Sequence, residues 1–346
     1  VISTRASYRD IPLYSPAKKP CRVDLSDNTN LFGTPPAAER VLRAASLRAV
    51  SAYPAGYSPD LRRAVAAYAG VTPEAVTTNC GSDGIIDSAI RAFLEPGETL
   101  AFMDPTFVMV PLYSKMNGVK AAPVPLRADF DIDAEALLAT GAKVIYLCAP
   151  NNPTGTGLSR AAVERVAERA PGLVILDEAY VDFASGPGFL DLARSRPNVL
   201  VTRTFSKAYG LAGMRVGWAV GAPALVAEVE KARGPYMLTA LSEAMATAVL
   251  TEDGEWVKAR ASEAVTNRER LRGELMELGL RPLPSEANFL MVPLPGATKV
   301  AERMRERDVN VRAFQGLTGV GDALRIGSAP WPLLETALAA LRESLR

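Results

Sequence analysis

Hydrophobic and polar positions along the chain fall into three regimes. The first forty residues hold no sustained period. Prolines at 12, 16, 20, 35 and 36 punctuate Ile11-Pro-Leu-Tyr14 and Asp27-Asn-Thr-Asn-Leu-Phe-Gly33, loop chemistry in which Asn, Asp and Gly tolerate left-handed backbone. Apolar residues three and four apart then predict helices over 37–50 and 60–68. From residue 75 short β-branched and apolar runs take over, predicting strands at 75–80, 99–103, 121–124, 143–148, 173–176, 199–205 and 215–220. Helices are expected between several of them, from Gly81 to Leu94 and around 106–117, 133–139 and 159–170. Strands interleaved with helices predict an α/β fold with a mainly parallel sheet covered on both faces. Function should then gather at the carboxyl ends of those strands.

Beyond Ala222 the pattern changes again. Helical segments at 223–233, 239–252 and 254–280, the last long enough to bridge two lobes, precede a smaller α+β unit. That unit is read as strand 288–292, helix 298–307, strands 309–314 and 323–327, and helix 332–345. With no repeat, low-complexity tract or flexible linker, the second lobe is expected to pack on the first. The expected division is a large lobe over 30–240 and a smaller one from 1–29 and 241–346.

Composition narrows the chemistry. Lys plus Arg at 39 against Asp plus Glu at 38 leaves no charge excess that would ask for nucleic acid or an anionic membrane. No apolar run approaches the ~18 residues of a membrane span. Val1-Ile-Ser-Thr-Arg5 lacks the pattern of a signal peptide. The chain does not begin with Met, so a few residues trimmed ahead of Val1 are expected. Cys21, Cys80 and Cys148 are far apart, which argues against a disulfide framework or a zinc site and for a reducing cytoplasm. Histidine is absent altogether. Ser-His-Asp and Cys-His catalysis and His-ligated metals are therefore excluded, and acid–base work must run on Lys, Tyr, Asp, Glu or a cofactor.

The candidate chemistry centres on Val201-Thr-Arg-Thr-Phe-Ser-Lys-Ala-Tyr-Gly-Leu-Ala-Gly-Met-Arg-Val-Gly217. A strand delivers Lys207 to its end, with the hydroxyls of Thr204 and Ser206 just before it and Arg215 close behind. An amine in that company suits Schiff-base chemistry with an aldehyde cofactor whose phosphate the hydroxyls and Arg215 would hold. Strand 75–80 runs into Gly81-Ser82-Asp83 and a helix, a seat for an anion; an ordinary helix cap at Ser82 or Asp83 is the plainer reading. Asp104-Pro-Thr-Phe107 offers an aromatic face at another strand end. Ala149-Pro-Asn-Asn-Pro-Thr-Gly155 puts Asn152 at the sheet's edge. Asp177-Glu-Ala-Tyr180 ends a buried strand with a carboxylate that needs a cationic partner or hydrogen bonds. Singly each has a bland explanation, as turn, cap or core. In one βα chain, in this order, they point to one site.

In that order the segments Asn-Asn-Pro-Thr-Gly, Asp-Glu-Ala-Tyr and Ser-Lys-x-x-x-Leu-Ala-Gly-x-Arg make the chain similar to the fold-type I pyridoxal-phosphate aminotransferases, and among them to the histidinol-phosphate aminotransferase group, from Tyr14 to the last strand. The resemblance implies a seven-stranded-type large domain with a smaller α+β domain. It implies transamination between an amino acid or amino-phosphate and a 2-oxo acid, on a cytoplasmic homodimer with shared sites. Pyridoxal phosphate would be held covalently by Lys207. Asp177 would meet the ring nitrogen, Asn152 and Tyr180 the ring's phenolic oxygen, and Phe107 the ring face. Ser82, Asp83, Thr204, Ser206 and Arg215 would surround the phosphate, with Tyr53 reaching it from a second subunit. Arg325 would clamp the substrate's α-carboxylate, and Arg312, Tyr14 and Asn28 would receive the rest of the substrate. The freed amine of Lys207 would move the proton, its pKa lowered by desolvation and nearby cations.

Three departures weaken the resemblance at the substrate mouth: Asn28-Thr-Asn-Leu31 replaces Asn-Glu-Asn-Pro, Gly84 stands where a glutamate is frequent, and Val110 replaces a second aromatic. They suggest an amino acid other than histidinol phosphate and a specialised biosynthetic pathway. A decarboxylase of the threonine-phosphate type is the near alternative on the same scaffold. A non-enzymatic cofactor-sensing domain is a further one, disfavoured by the early position of Tyr14 and the neutral charge. A nicotinamide site at Gly319-Val-Gly321 is rejected, because Leu324 stands where the third glycine belongs.

Overall fold

A computed structural model describes residues 2–9, 11, 13 and 20–346. Strand β1 (Val23–Asp24) precedes helices α1 (Pro36–Ala44), α2 (Arg48–Ser51) and α3 (Pro59–Ala69). The large sheet uses β2 (Val76–Cys80), β3 (Thr99–Asp104), β4 (Lys120–Pro125), β5 (Val144–Cys148), β6 (Leu173–Asp177), β7 (Val199–Thr204) and β8 (Val216–Val220). Among these run α4 (Gly81–Phe93), α5 (Met109–Asn117), α6 (Ala134–Ala139), α7 (Arg160–Arg169) and α8 (Leu190–Ser195). The chain continues through α9 (Pro223–Lys231), α10 (Ala240–Glu252) and α11 (Gly254–Glu277). It ends with β9 (Phe289–Pro293), α12 (Ala297–Glu306), β10 (Val309–Asn310), β11 (Arg312–Leu317), β12 (Gly321–Gly327) and α13 (Trp331–Ser344).

The seven strands order as β2-β8-β7-β6-β5-β3-β4. Only β8 runs against its neighbours, pairing antiparallel with β2 and β7 while the remaining pairs are parallel. Strands β5 and β6 are buried along their whole length, which is why they read as continuous apolar runs and not as alternation. Helix starts follow local rules: Asp133, Ser159 and Thr239 each accept a backbone N–H of the helix they precede.

Two apolar cores result. One surrounds the large sheet and takes in Val257, Ala261 and Ala264 of α11. The other holds Leu271 and Leu275 of the same helix with Leu290, Leu324, Ile326 and Leu338. One helix therefore ties both cores together. Strand β1 pairs with β10, so the amino-terminal segment is stitched to the carboxyl-terminal unit, whose sheet orders β11-β12-β9.

Two expected elements come out differently. The helix expected over 37–50 breaks after Ala44, with Ala45 extended. Leu42, Leu47 and Val50 are solvent-facing, so the apolar stripe that suggested one helix has no core to bury against within the chain. The strand expected over 309–314 changes partner at Val311: residues 309–310 pair with β1 and the following ones with β12.

Candidate functional site

The carboxyl ends of β5, β6 and β7 and the start of α4 open into a cavity of about 400 Å³, within the range of small-molecule sites. Of the residues singled out in the sequence, Ser82, Asp83, Phe107, Asn152, Asp177, Tyr180, Thr204, Ser206, Lys207, Arg215 and Arg325 line it.

One wall is a nest of donors. The hydroxyl of Thr204 donates to Ser206 Oγ at 3.0 Å, and Ser206 N–H returns to Thr204 Oγ1 at 3.1 Å. Arg215 reaches Ser206 Oγ at 3.3 Å and Asp83 at 3.1 Å. Arg215 holds a left-handed backbone, φ 53°, a strained state for a residue with a side chain and one that clusters at functional sites. Glycine is required twice beside it. A Cβ on Gly217 would lie 2.3 Å from Ser82 N, and one on Gly81 would lie 2.7 Å from the Arg215 guanidinium. The first turn of α4 can thus lie against β8 and turn its N–H groups to the cavity.

Across from this wall stands Asp177, the last residue of β6. Its Oδ2 accepts from the Tyr146 hydroxyl at 2.7 Å and its Oδ1 from Ala179 N–H at 3.1 Å. Burial raises its pKa to about 6, Tyr146 opposing and Asp83 adding to the rise. Lys207 lines the same cavity; its Nζ donates to Asp27 O at 2.9 Å and sits 5.6 Å from the centre of the Tyr180 ring. Desolvation, with Arg325 and Arg215 as neighbouring cations, lowers its pKa to about 8, while Asp27 and Asp83 work the other way. The Tyr180 hydroxyl, pushed up to about 12 by burial, accepts from the Asn28 amide at 3.1 Å.

The roof belongs to the second lobe. Arg325 donates to Asn152 Oδ1 at 2.5 Å and to Ser26 O at 2.6 Å. Its guanidinium lies 5.3 Å from the centre of Phe289 and 5.6 Å from that of Phe314. Arg312 is its direct partner in the β11–β12 register but does not line the cavity. Asn28 stands behind Tyr180. Tyr53 is 86% exposed and stacks on Tyr236, away from the lining. Tyr14 lies outside the described residues.

Sequence reasoning missed Val108, Met109, Tyr113, Cys148 and Ala179, all in the lining. Tyr113 had a usable signal. Val110, the departure from the aromatic pattern, is fully buried in α5; Tyr113 stands one helical turn further on, facing the same side. Gly84 is explained locally, since a Cβ there would meet Asn79 Cγ at 2.8 Å.

The site brings together two hydroxyls with a guanidinium, an amine, a buried carboxylate and a second guanidinium. Comparisons with known proteins follow the same line. The family model described as aminotransferase class I and II matches residues 22–339. Histidinol-phosphate aminotransferase of Synechocystis sp. is 36% identical, each chain covered in full. Aromatic amino acid aminotransferase of Nocardia farcinica is 37% identical, with 91% of each chain covered. The crystal structure of histidinol-phosphate aminotransferase from Sinorhizobium meliloti, in complex with pyridoxal-5'-phosphate, superposes with a TM-score of 0.86 at 27% identity, covering 95% of this chain and 92% of that one.

Proposed function

This chain belongs to the aminotransferase class I and II family, and from that premise we propose how its cavity is used and what it takes. It is a pyridoxal-phosphate-dependent aminotransferase with the fold of the histidinol-phosphate enzymes. Relatives matched over nearly the whole chain are transaminases, which favours transamination over the decarboxylase and sensing alternatives.

The residues present suit the cofactor. A dianion fits the wall of Thr204, Ser206, Arg215 and the first turn of α4, where donors outnumber the lone carboxylate of Asp83. A protonated ring nitrogen fits Asp177, a carboxylate whose charge burial disfavours. When bound, pyridoxal phosphate supplies the aldehyde that takes the substrate's amine and a ring that draws electrons from the substrate's α-carbon.

The protein's residues would do the remainder. Lys207 would hold the cofactor and, once freed, move a proton at the substrate's α-carbon; a pKa near 8 leaves part of its amine unprotonated at neutral pH. Asn152 and Tyr180 would hydrogen-bond the phenolic oxygen, and Phe107 would cover the ring. Arg325 would receive the α-carboxylate with a planar two-pronged donor. Arg312, Asn28 and Tyr14 would meet the rest of an amino acid or amino-phosphate, and a 2-oxo acid would accept the amino group.

A homodimer belongs to the same proposal, with Tyr53 of a second copy completing the phosphate seat. Support comes from the exposed side chains Val50, Tyr53 and Tyr236, which line one depression with Leu241 and which a second copy would cover. The two-lobe division, 30–240 against 1–29 with 241–346, is likewise proposed, as is a cytoplasmic location. The latter leans on three free thiols and on the finding that no helix among the described residues is long and apolar enough to cross a membrane.

The observation that carries the reading is that Lys207 lines one cavity with Thr204, Ser206, Arg215 and Asp177. The test is a half-reaction. An amino donor added to holoenzyme should convert the cofactor's absorption to the pyridoxamine form, and borohydride reduction beforehand should fix the cofactor to residue 207 and to no other. Release of carbon dioxide without keto-acid formation would overturn the transaminase reading.

A further inference from the structure

Asp177 offers two carboxylate oxygens, and the protein binds each from a different side. The backbone N–H of Ala179 takes Oδ1 and the phenol of Tyr146 takes Oδ2, at 3.1 and 2.7 Å. Tyr146 is fully buried in the middle of β5, where the run Val-Ile-Tyr-Leu-Cys reads as sheet core. A phenol in such a strand is costly to bury unless its hydroxyl finds a partner.

The register explains how it does. Cys148 is the direct neighbour of Asp177 across β5 and β6, and Tyr146, two residues earlier, projects to the same face as Cys148. The phenol therefore runs along the sheet and meets the carboxylate from below. Asp177 lines the cavity and Tyr146 does not. Burial and the adjacent Asp177 hold the phenol's pKa well above its usual value, so it keeps its proton and acts as donor.

We infer that Tyr146 is a positioning residue for the reaction: its hydroxyl fixes the rotamer of Asp177 and holds that carboxylate ionised, leaving its open lone pairs to the cofactor's ring nitrogen. The inference rests on the reading of Asp177 given above. Little else in the surroundings favours the charge. Asp83 from α4 and Glu178 beside it raise the acid's pKa further; Tyr113 from α5, Cys148 and Tyr180 are electrostatically coupled to it and neutral. The two hydrogen bonds are what oppose burial. One comes from the backbone and survives any substitution, so the side-chain share rests with Tyr146.

A tyrosine that merely fills the core is replaced by phenylalanine without consequence at the cofactor, and that is the contrast to measure. Wild type, Tyr146→Phe, Asp177→Asn and the double variant are reconstituted with pyridoxal phosphate carrying ¹⁵N in its ring. Ring-nitrogen chemical shift and cofactor dissociation constant are then read. Tyr146→Phe should move the shift part of the way from wild type toward Asp177→Asn and weaken cofactor binding about tenfold, as expected for losing one charge-assisted hydrogen bond. The double variant should bind no more weakly than Asp177→Asn alone, because the phenol acts only through that carboxylate. Tyr146→Met, which also lacks the donor, should repeat the result; apoenzyme melting curves confirm that both variants fold. A wild-type shift in folded Tyr146→Phe alongside a displaced one in Asp177→Asn overturns the inference, as do additive losses in the double variant. An unmoved shift in Asp177→Asn overturns the reading of Asp177 itself, and the inference with it.

Discussion

The two ends of the cavity are built on different principles. At the proposed anion seat the groups stand on or next to the large sheet and the helix that abuts it: Thr204 ends β7, Ser206 follows it, Arg215 precedes β8, and Ser82 lies in the first turn of α4. One apolar core fixes all of them, so the seat exists before any ligand arrives. At the opposite end Arg325 projects from β12, with Arg312 beside it on β11 outside the lining, and the core of these strands is the second one. Arg325 reaches across to Asn152 and lies against Phe289 of the first core. That end holds its shape only while the two lobes keep their relative position. Cofactor binding should thus tolerate changes at the substrate end, while substrate binding depends on both.

The largest test of that asymmetry is Arg325→Ala. With Arg325 in its proposed place on the substrate's carboxylate, removing this buried, hydrogen-bonded charge costs about 3–4 kcal/mol, so kcat/KM should fall on the order of 10²–10³-fold. The dissociation constant for pyridoxal phosphate should stay within about twofold. Equal losses in both would mean that the two ends form one unit.

Next in size is Arg215→Lys. It keeps the charge but loses the fork that touches Ser206 and Asp83 together. Cofactor binding should weaken by about 1–3 kcal/mol, roughly 5–150-fold. Turnover at saturating pyridoxal phosphate should be nearly retained. A fall in kcat under saturation would show that the seat also aligns the reacting atoms.

Lys207 lies between the ends and reports on both. Only its neutral amine attacks an aldehyde, so capture of pyridoxal phosphate by apoenzyme, followed by stopped-flow absorbance, should speed up about tenfold per pH unit and level off near pH 8. The sign follows from the surroundings. Burial, Arg325 and Arg215 all disfavour the ammonium and pull the break down from the usual lysine value. Arg325→Ala removes one of those cations, so the break should move to higher pH. An unmoved break would mean that the two ends do not feel each other electrostatically.

What the sequence made legible divides along the same line. Strand ends of the large sheet announce themselves because an unbroken apolar run, such as Leu173–Leu176, stops at a residue that cannot be buried alone, Asp177. The place of Asp177 at the sheet's edge was readable for that reason. Tyr146 was not, since a tyrosine inside an apolar run looks like core until the register shows which carboxylate its hydroxyl reaches. The spacing put Tyr113 on the same face of α5 as Val110, but that this face meets the cavity depends on how α5 packs on α4. The break after Ala44 escaped notice because Leu42, Leu47 and Val50 keep helical spacing whether or not a surface lies opposite them. At the substrate end the arginines could be named, but that they stand directly opposite one another depended on the change of partner at Val311.

That opposition makes Arg312→Gln the smallest and most discriminating test. Residues paired across antiparallel strands project to the same face, and like charges there repel. The apoprotein should therefore gain about 0.2–1 kcal/mol from the substitution, measurable as a higher denaturation midpoint. A ligand that carries negative charge to that face would offset the repulsion. A donor carrying a phosphate or second carboxylate should lose about tenfold in kcat/KM, the worth of one charged hydrogen bond, while a neutral aromatic donor should change by less than about twofold. If both donors lose equally, Arg312 serves the lobe's packing and not the substrate, and recognition at that end rests on Arg325 alone.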